Sequence, residues 1–134
     1  MMVFEAPRLI LSVDFADANN LLAGVMNLKG LKVIKSKSTD DCLSILNQIE
    51  EKVDAVLIDK ESAVEKDFLL VNQIKKVRPD TVIIIIADQV DEDEKLREKN
   101  IDELVLRPIS PENLADTILT MLAKRELKRF KKAG

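Results

Sequence analysis

The chain of 134 residues contains no histidine, no tryptophan and no tyrosine. Without histidine it has no histidine-assisted nucleophile, no imidazole ligand for a metal and no phosphohistidine of its own. The four phenylalanines are scattered, so aromatic stacking platforms for bases or flavins are poorly supported. No uninterrupted apolar run is long enough to cross a bilayer, so no membrane partner is expected. These absences narrow the chemistry that the chain can support.

Cysteine occurs once, as Cys42, which excludes an internal disulfide and is typical of the reducing cytoplasm. We therefore expect a cytoplasmic protein. Because Cys42 falls on the apolar face of a predicted helix, we expect a small core residue and not a reactive thiol.

Charge is distributed unevenly along the chain. The 21 basic and 24 acidic residues give a net charge of -3, which by itself indicates no partner. Residues 124–132 hold six basic side chains and one acid, a net charge of +5, which leaves -8 for the rest. We divide the chain accordingly into a domain of residues 1–123 and a basic helical extension or tail of residues 124–134. Nucleic-acid binding is not expected of this domain alone, because no aromatic pattern beyond Phe130 is interleaved with the basic residues.

Strand and helix patterns alternate from end to end. The predicted strands are residues 8–13, 31–36, 54–58, 82–86 and 103–106, and the predicted helices are about 17–29, 39–49, 65–77, 88–100 and a final helix from 111. Ser38 or Thr39, and Ser110 before Pro111, are typical helix starts, and Gly30 is a typical helix end. Strict alternation predicts an α/β fold in which a parallel sheet is covered by helices on both faces.

Carboxylates follow two of the predicted strands. Asp59 ends the run that starts at Asp54, and Asp14 directly follows the first strand. Taken singly, an aspartate after a strand is more often a turn or cap residue. The carboxyl ends of parallel strands, however, are where open α/β sheets bind ligands. If the first and third strands are neighbours, Asp14 and Asp59 lie side by side and could hold one Mg²⁺ ion or one phosphoryl group.

This arrangement resembles the receiver domain of bacterial-type response regulators over about residues 8–123. The resemblance implies a flavodoxin-like, doubly wound, five-stranded parallel sheet of order 2-1-3-4-5 with five helices. It implies that Asp59 is the phosphoacceptor and that Mg²⁺ is bound by Asp14, Asp59 and the backbone carbonyl of Glu61. The segment Leu106-Arg107-Pro108 resembles the Lys-Pro segment of the family. Arg107 replaces the lysine, and the bond before Pro108 is expected to be cis.

Three further family positions are altered, which makes the chain resemble a degenerate receiver. Val13 stands at the first of the paired acids, Ala87 at the Thr/Ser position that would hold the phosphoryl group, and Leu104 at the switching aromatic. Arg107 keeps the positive charge, but its planar fork could form a bidentate ion pair with Asp59 or Asp14 and close the site. These changes predict weak Mg²⁺ binding and weakened switching.

The expected function is that of a receiver domain in a two-component-type phosphorelay, without enzymatic activity. Asp59 would accept a phosphoryl group from the phosphohistidine of a histidine kinase or phosphotransfer protein. The alternative is a phosphorylation-independent pseudo-receiver that acts as a protein-interaction module. The lost hydroxyl and aromatic favour this alternative, and the retained Asp14 and Asp59 oppose it. A flavin- or nucleotide-binding flavodoxin-like protein has little support, because no glycine or threonine cluster follows Val13 to wrap a phosphate.

The final helix has apolar residues on two sides. One stripe contains Leu114, Ile118, Met121 and Leu122, and the second contains Leu119, Ala123, Leu127 and Phe130. A helix that is apolar on two sides needs two partners, and the sheet can cover only one. The sequence therefore predicts a weak homodimer through this helix, with the acidic residues 91–94 as an electrostatic complement in the partner copy.

Overall fold

The computed structural model describes residues 8–13, 21–88 and 101–133. The strands in these ranges are β1 (Arg8–Val13), β2 (Leu31–Ser36), β3 (Ala55–Asp59), β4 (Val82–Ala87) and β5 (Glu103–Leu106). The helices are α1 (Leu21–Leu28), α2 (Thr39–Gln48), α3 (Lys60–Val64), α4 (Leu69–Val77) and α5 (Pro111–Ala133). The strands pair in parallel in one sheet, in the order β2-β1-β3-β4-β5.

Different helices cover the two faces of the sheet. Helices α2, α3 and α4 pack on one face, against β3 side chains that include Val56 and Ile58. Helices α1 and α5 pack on the other face, against Ala55 and Leu57 of the same strand. Successive side chains of a strand point to opposite faces, so a strand covered on both sides is apolar at nearly every position. The predicted α/β architecture, a parallel sheet between helices, is confirmed.

Polar residues begin helices α2 and α5 as the sequence predicts. The Oγ atoms of Ser38 and Ser110 each accept the backbone N–H three residues later, at 3.0 and 3.1 Å. Pro111 is the first residue of α5, where its missing N–H costs no helical hydrogen bond. Gly30 has a φ of 80° shortly after α1, a conformation that glycine adopts without steric cost.

The predicted helix 65–77 is wrong at its start. Helix α3 already begins at Lys60, and α4 begins only at Leu69. Between them Lys66, Asp67 and Phe68 have φ values of 50°, 56° and 62°, and this left-handed turn interrupts the right-handed helix. The described part of the predicted helix 17–29 starts at Leu21. The predicted helix 88–100, including the acids 91–94, lies outside the described residues apart from Asp88.

Helix α5 continues to Ala133 and passes residue 123 without a break. The second apolar stripe predicted for this helix is not fully exposed, because Leu119 packs against the core under α1 and α5. Leu127 is 62% exposed, whereas the side chain of Phe130 lies outside the described part of the structure. None of the helices in the described ranges is both long and apolar enough to span a membrane.

Candidate functional site

Asp59 is the last residue of β3, at the carboxyl edge of the sheet. Its Oδ1 accepts the backbone N–H of Glu61 at 3.3 Å, so the side chain also caps the first turn of α3. The Asp59 side chain is 18% exposed and remains accessible from the edge. The cap role and the acceptor role predicted for Asp59 therefore fall on the same carboxylate.

Arg107 brings a positive charge from β5 to this carboxylate. Its backbone N–H donates to the carbonyl oxygen of Ala87 at 2.8 Å, which fixes the chain beside the end of β4. The Arg107–Pro108 bond is cis, as the resemblance implied. The guanidinium Nη2 lies 3.8 Å from Oδ1 of Asp59, and Nη1 lies 3.1 Å from Oδ1 of Asp88.

The bidentate Arg107–Asp59 pair considered from the sequence is not formed. A bidentate pair would use two parallel N–H groups of the guanidinium on one carboxylate. Here the first nitrogen, Nη1, is hydrogen-bonded to Asp88, and only Nη2 faces Asp59. Arg107 thus does not form the bidentate pair with Asp59, because Asp88 shares the cation. The alternative pair with Asp14 lies outside the described residues.

Asp88 is the functional-site residue that the sequence pattern did not single out. It directly follows β4, just as Asp14 follows β1 and Asp59 ends β3. The signal that could have found it is this repetition, an acid at the carboxyl end of an apolar strand. The sequence pattern instead predicts that Asp88 begins the helix 88–100.

A cavity of about 440 Å³ lies at this edge of the sheet. The described residues that line it are Asp59, Lys60, Glu61, Val64, Ala87 and Asp88. Ala87, at the position where the resemblance implies a Thr or Ser, is buried and ends in a methyl group. The lining therefore includes three carboxylate residues and one lysine, but no hydroxyl group from residue 87.

The predicted metal site is only partly within the described structure. Val13 pairs with Ile58, so the residue before Asp14 lies beside the residue before Asp59. Asp14 itself lies outside the described ranges, and the Asp14–Asp59 pair stays a prediction. Within those ranges, no group of three or more Cys, Asp or Glu side chains could hold a metal ion. Asp59 and Glu61 are oxygen-bearing residues of the type that Mg²⁺ prefers, and Asp14 would have to complete the set.

Two other predicted residues occupy the core. Leu104 pairs with Ile85 in the sheet and packs against the α2–α4 side of the core. Cys42 is buried, which confirms its expected place in the core. Burial above all, and then the neighbouring Asp41 carboxylate, raise the pKa of its thiol to about 12, although a hydrogen bond with Ser36 acts to lower it. A thiol with so high a pKa stays protonated and unreactive at neutral pH.

No protein-family model matches the sequence, and no curated protein matches it. Solved structures do match. A response regulator from Thermotoga maritima is 21% identical with a TM-score of 0.73, over 87% of this chain and 98% of that one. A CheY-like receiver domain protein from Methanospirillum hungatei is 19% identical with a TM-score of 0.74, over 90% of this chain and 98% of that one.

A receiver domain protein from Clostridium thermocellum is 21% identical with a TM-score of 0.72, over 90% of this chain and 98% of that one. The chain has the receiver fold. At these identities the similarity establishes the fold alone. The similarity by itself assigns no role to Asp59, Asp88 or Arg107.

Proposed function

We propose that the chain is a receiver domain that accepts a phosphoryl group on Asp59. The observation that best supports this is the meeting of Asp59 with the Arg107 cation beside an open cavity, at the ligand-binding edge of a receiver fold. Because the chain contains no histidine, the donor is proposed to be the phosphohistidine of a separate histidine kinase or phosphotransfer protein. The lone buried Cys42 fits the cytoplasm as the place of this exchange.

In the proposed reaction an Asp59 oxygen attacks the phosphorus of the phosphohistidine. An O–P bond forms, the N–P bond breaks, and the imidazole nitrogen leaves with the bonding electron pair. Such a transfer needs positioning and neutralisation of charge more than covalent help from the protein. Arg107 would supply one positive charge to the transferred oxygens. The domain is proposed to be an acceptor in signalling and not an enzyme.

Mg²⁺ is the cofactor proposed for this transfer, held by Asp14, Asp59 and the backbone carbonyl of Glu61. It would neutralise charge on the phosphoryl oxygens. Binding is expected to be weak, because Val13 replaces one acid of the family site. The conformational response is expected to be small, because Ala87 offers no hydroxyl and Leu104 no aromatic ring, and a ligand shifts an equilibrium only through differential contacts.

Incubation with acetyl phosphate and Mg²⁺ tests the proposal. Intact-mass measurement should show one added phosphoryl group on the wild type and none on Asp59→Asn. Asp116→Asn is the matched control, because Asp116 is an acid on α5 that pairs with Lys29 away from the site. It should be modified as the wild type is. An unmodified wild type, or modification of Asp59→Asn, would contradict the acceptor role.

The second candidate is a pseudo-receiver that binds partners without phosphorylation. It is favoured by the contacts that already occupy Oδ1 of Asp59, the N–H of Glu61 and the Arg107 cation. This candidate predicts that acetyl phosphate adds no mass. It also predicts that Asp59→Asn leaves the affinity for a partner unchanged.

A further inference from the structure

The path of the Arg107 side chain crosses the end of a neighbouring strand. Arg107 follows β5 and Asp59 ends β3, while β4 lies between these two strands. Neighbouring strands are about 4.8 Å apart, so the guanidinium has to reach roughly 10 Å across the edge of the sheet. Asp88 directly follows the intervening β4 and therefore lies between Arg107 and Asp59 along this edge of the sheet.

Among the described residues, the guanidinium contacts two carboxylates. Nη1 is hydrogen-bonded to Asp88 at 3.1 Å, whereas the 3.8 Å from Nη2 to Asp59 is about 1 Å longer than a charge-assisted hydrogen bond. The group is planar and rigid, so the direction of Nη1 also determines that of Nη2. The contact with Asp88 thereby determines how closely Arg107 approaches Asp59.

We propose that Asp88 is a positioning residue that holds Arg107 open beside Asp59. The inference rests on the proposed acceptor role of Asp59. With Arg107 held at 3.8 Å, the guanidinium is not hydrogen-bonded to Oδ1 of Asp59, so Arg107 does not block attack of this carboxylate on phosphorus. The phosphoryl group that Asp59 then receives extends outward into the space in front of Nη2. Asp88 also places a polar group at the end of β4, where Ala87 has none.

An ordinary exposed ion pair is the competing explanation, since the Asp88 side chain is 71% exposed. Exposed pairs are weak, and many have no measurable effect. Here, however, even a weak ion pair with Asp88 is sufficient to set the direction of the Arg107 side chain. The backbone of Arg107 is already fixed by its hydrogen bond to Ala87, so only the direction of the side chain remains to be set.

The decisive variant is Asp88→Ala, whose exposed position makes a folding defect unexpected. Without Asp88 the fork of Arg107 should close on Asp59. In ¹⁵N-edited NMR spectra the hydrogen-bonded, slowly exchanging Nη protons of the variant should then depend on Asp59 and disappear in Asp88→Ala/Asp59→Ala, whereas those of the wild type depend on Asp88. Phosphorylation of Asp59 by acetyl phosphate should slow several-fold. Asp116→Ala, the control, should change neither measurement.

The Arg107→Lys background separates positioning from a general effect of charge. An ammonium group is a point charge without a fixed fork, so it cannot transmit the direction set by Asp88. Removing Asp88 in that background should change the phosphorylation rate much less than it does when Arg107 is present. The proposal would be overturned if the Arg107 signals in the NMR spectrum did not respond to Asp88→Ala. It would also be overturned if the single variant Asp88→Ala were phosphorylated faster than the wild type. If the wild type is never phosphorylated, the acceptor role fails, and the NMR comparison alone still decides whether Asp88 positions Arg107.

Discussion

Arg125 anchors the long helix α5 to the edge of the sheet opposite Asp59. Its Nη1 donates to the backbone carbonyls of Asp54 at 3.1 Å and Asp80 at 2.9 Å, and its Nη2 donates to Oδ1 of Asp54 at 3.2 Å. The Arg125 and Asp54 side chains are each only 12% exposed. Nε of Arg125 is buried without a hydrogen-bond partner in the described structure. These contacts join the loops before β3 and β4 to the last helix.

Replacing Arg125 by methionine should destabilise the fold. Arg125→Met keeps an apolar stem but removes the donors to two carbonyls and the near-buried partner of Asp54. We expect the free energy of unfolding to fall by about 2 kcal/mol. This is less than for a fully isolated pair, because Lys52 lies 4.0 Å from Asp54. Urea unfolding measures the change. The exposed Lys124→Met should change it by less than about 0.5 kcal/mol, and equal effects of the two variants would contradict the anchoring role.

At the scale of elements, the unusual segment is the turn between α3 and α4. Lys66, Asp67 and Phe68 all have positive φ, although none of them is glycine. Phe68 is buried in the core, so the turn is held by packing of its ring and not by its backbone preference. Asp59 caps α3, and this short helix is all that separates the proposed acceptor from the turn.

Glycine at position 66 should stabilise the protein. Lys66→Gly removes the steric cost of the left-handed conformation, and the greater freedom of glycine in the unfolded chain offsets part of the gain. We expect a net increase of about 0.5–1 kcal/mol in the free energy of unfolding. The matched variant Lys76→Gly, in the right-handed α4, should instead lose about 0.5–1 kcal/mol. Thermal and urea unfolding of both variants decide the matter, and a loss of stability in Lys66→Gly would show that the turn is not left-handed in solution.

At the scale of the whole molecule, the open question is the partner of the end of α5. Leu127 is 62% exposed, two positions beyond the docked Arg125, within the segment of net charge +5. The rest of the chain carries -8, so a second copy provides a complementary charge. Leu119 packs into the core and no longer belongs to the exposed stripe. The predicted weak homodimer therefore depends on the end of α5.

Leu127→Glu should abolish this dimer, because it puts a carboxylate into the apolar contact and places a negative charge against the acidic part of the partner copy. Sedimentation equilibrium at high protein concentration should show self-association of the wild type and a monomer for the variant. Leu28→Glu, at an even more exposed leucine of α1 (89%), should associate as the wild type does. Raising the salt concentration should weaken the dimer by screening the charges. A wild type that stays monomeric at all concentrations would remove the proposed dimer.

Some residues of the site could be predicted from the sequence because their positions follow from strand ends. Asp59 and Arg107 each adjoin an apolar run, and the carboxyl ends of parallel strands meet at one edge. The Asp88–Arg107 contact could not be predicted in this way, because it depends on the direction of one flexible side chain. The predicted Asp14–Asp59 pair, the Mg²⁺ site and the phosphoryl transfer remain predictions.

The sequence by itself determined the alternation of strands and helices, the two-sided burial of β3 and the polar starts of α2 and α5. These features follow from local periodicity and from hydrogen bonds between residues three apart. Tertiary structure alone decided three others: the left-handed turn at 66–68, the sharing of Arg107 between Asp59 and Asp88, and the docking of Arg125 on Asp54. Each depends on residues that are distant in sequence or on packing that overrides a backbone preference. Local pattern contains no information about such contacts, because their free energy arises only once the sheet and its helices have come together.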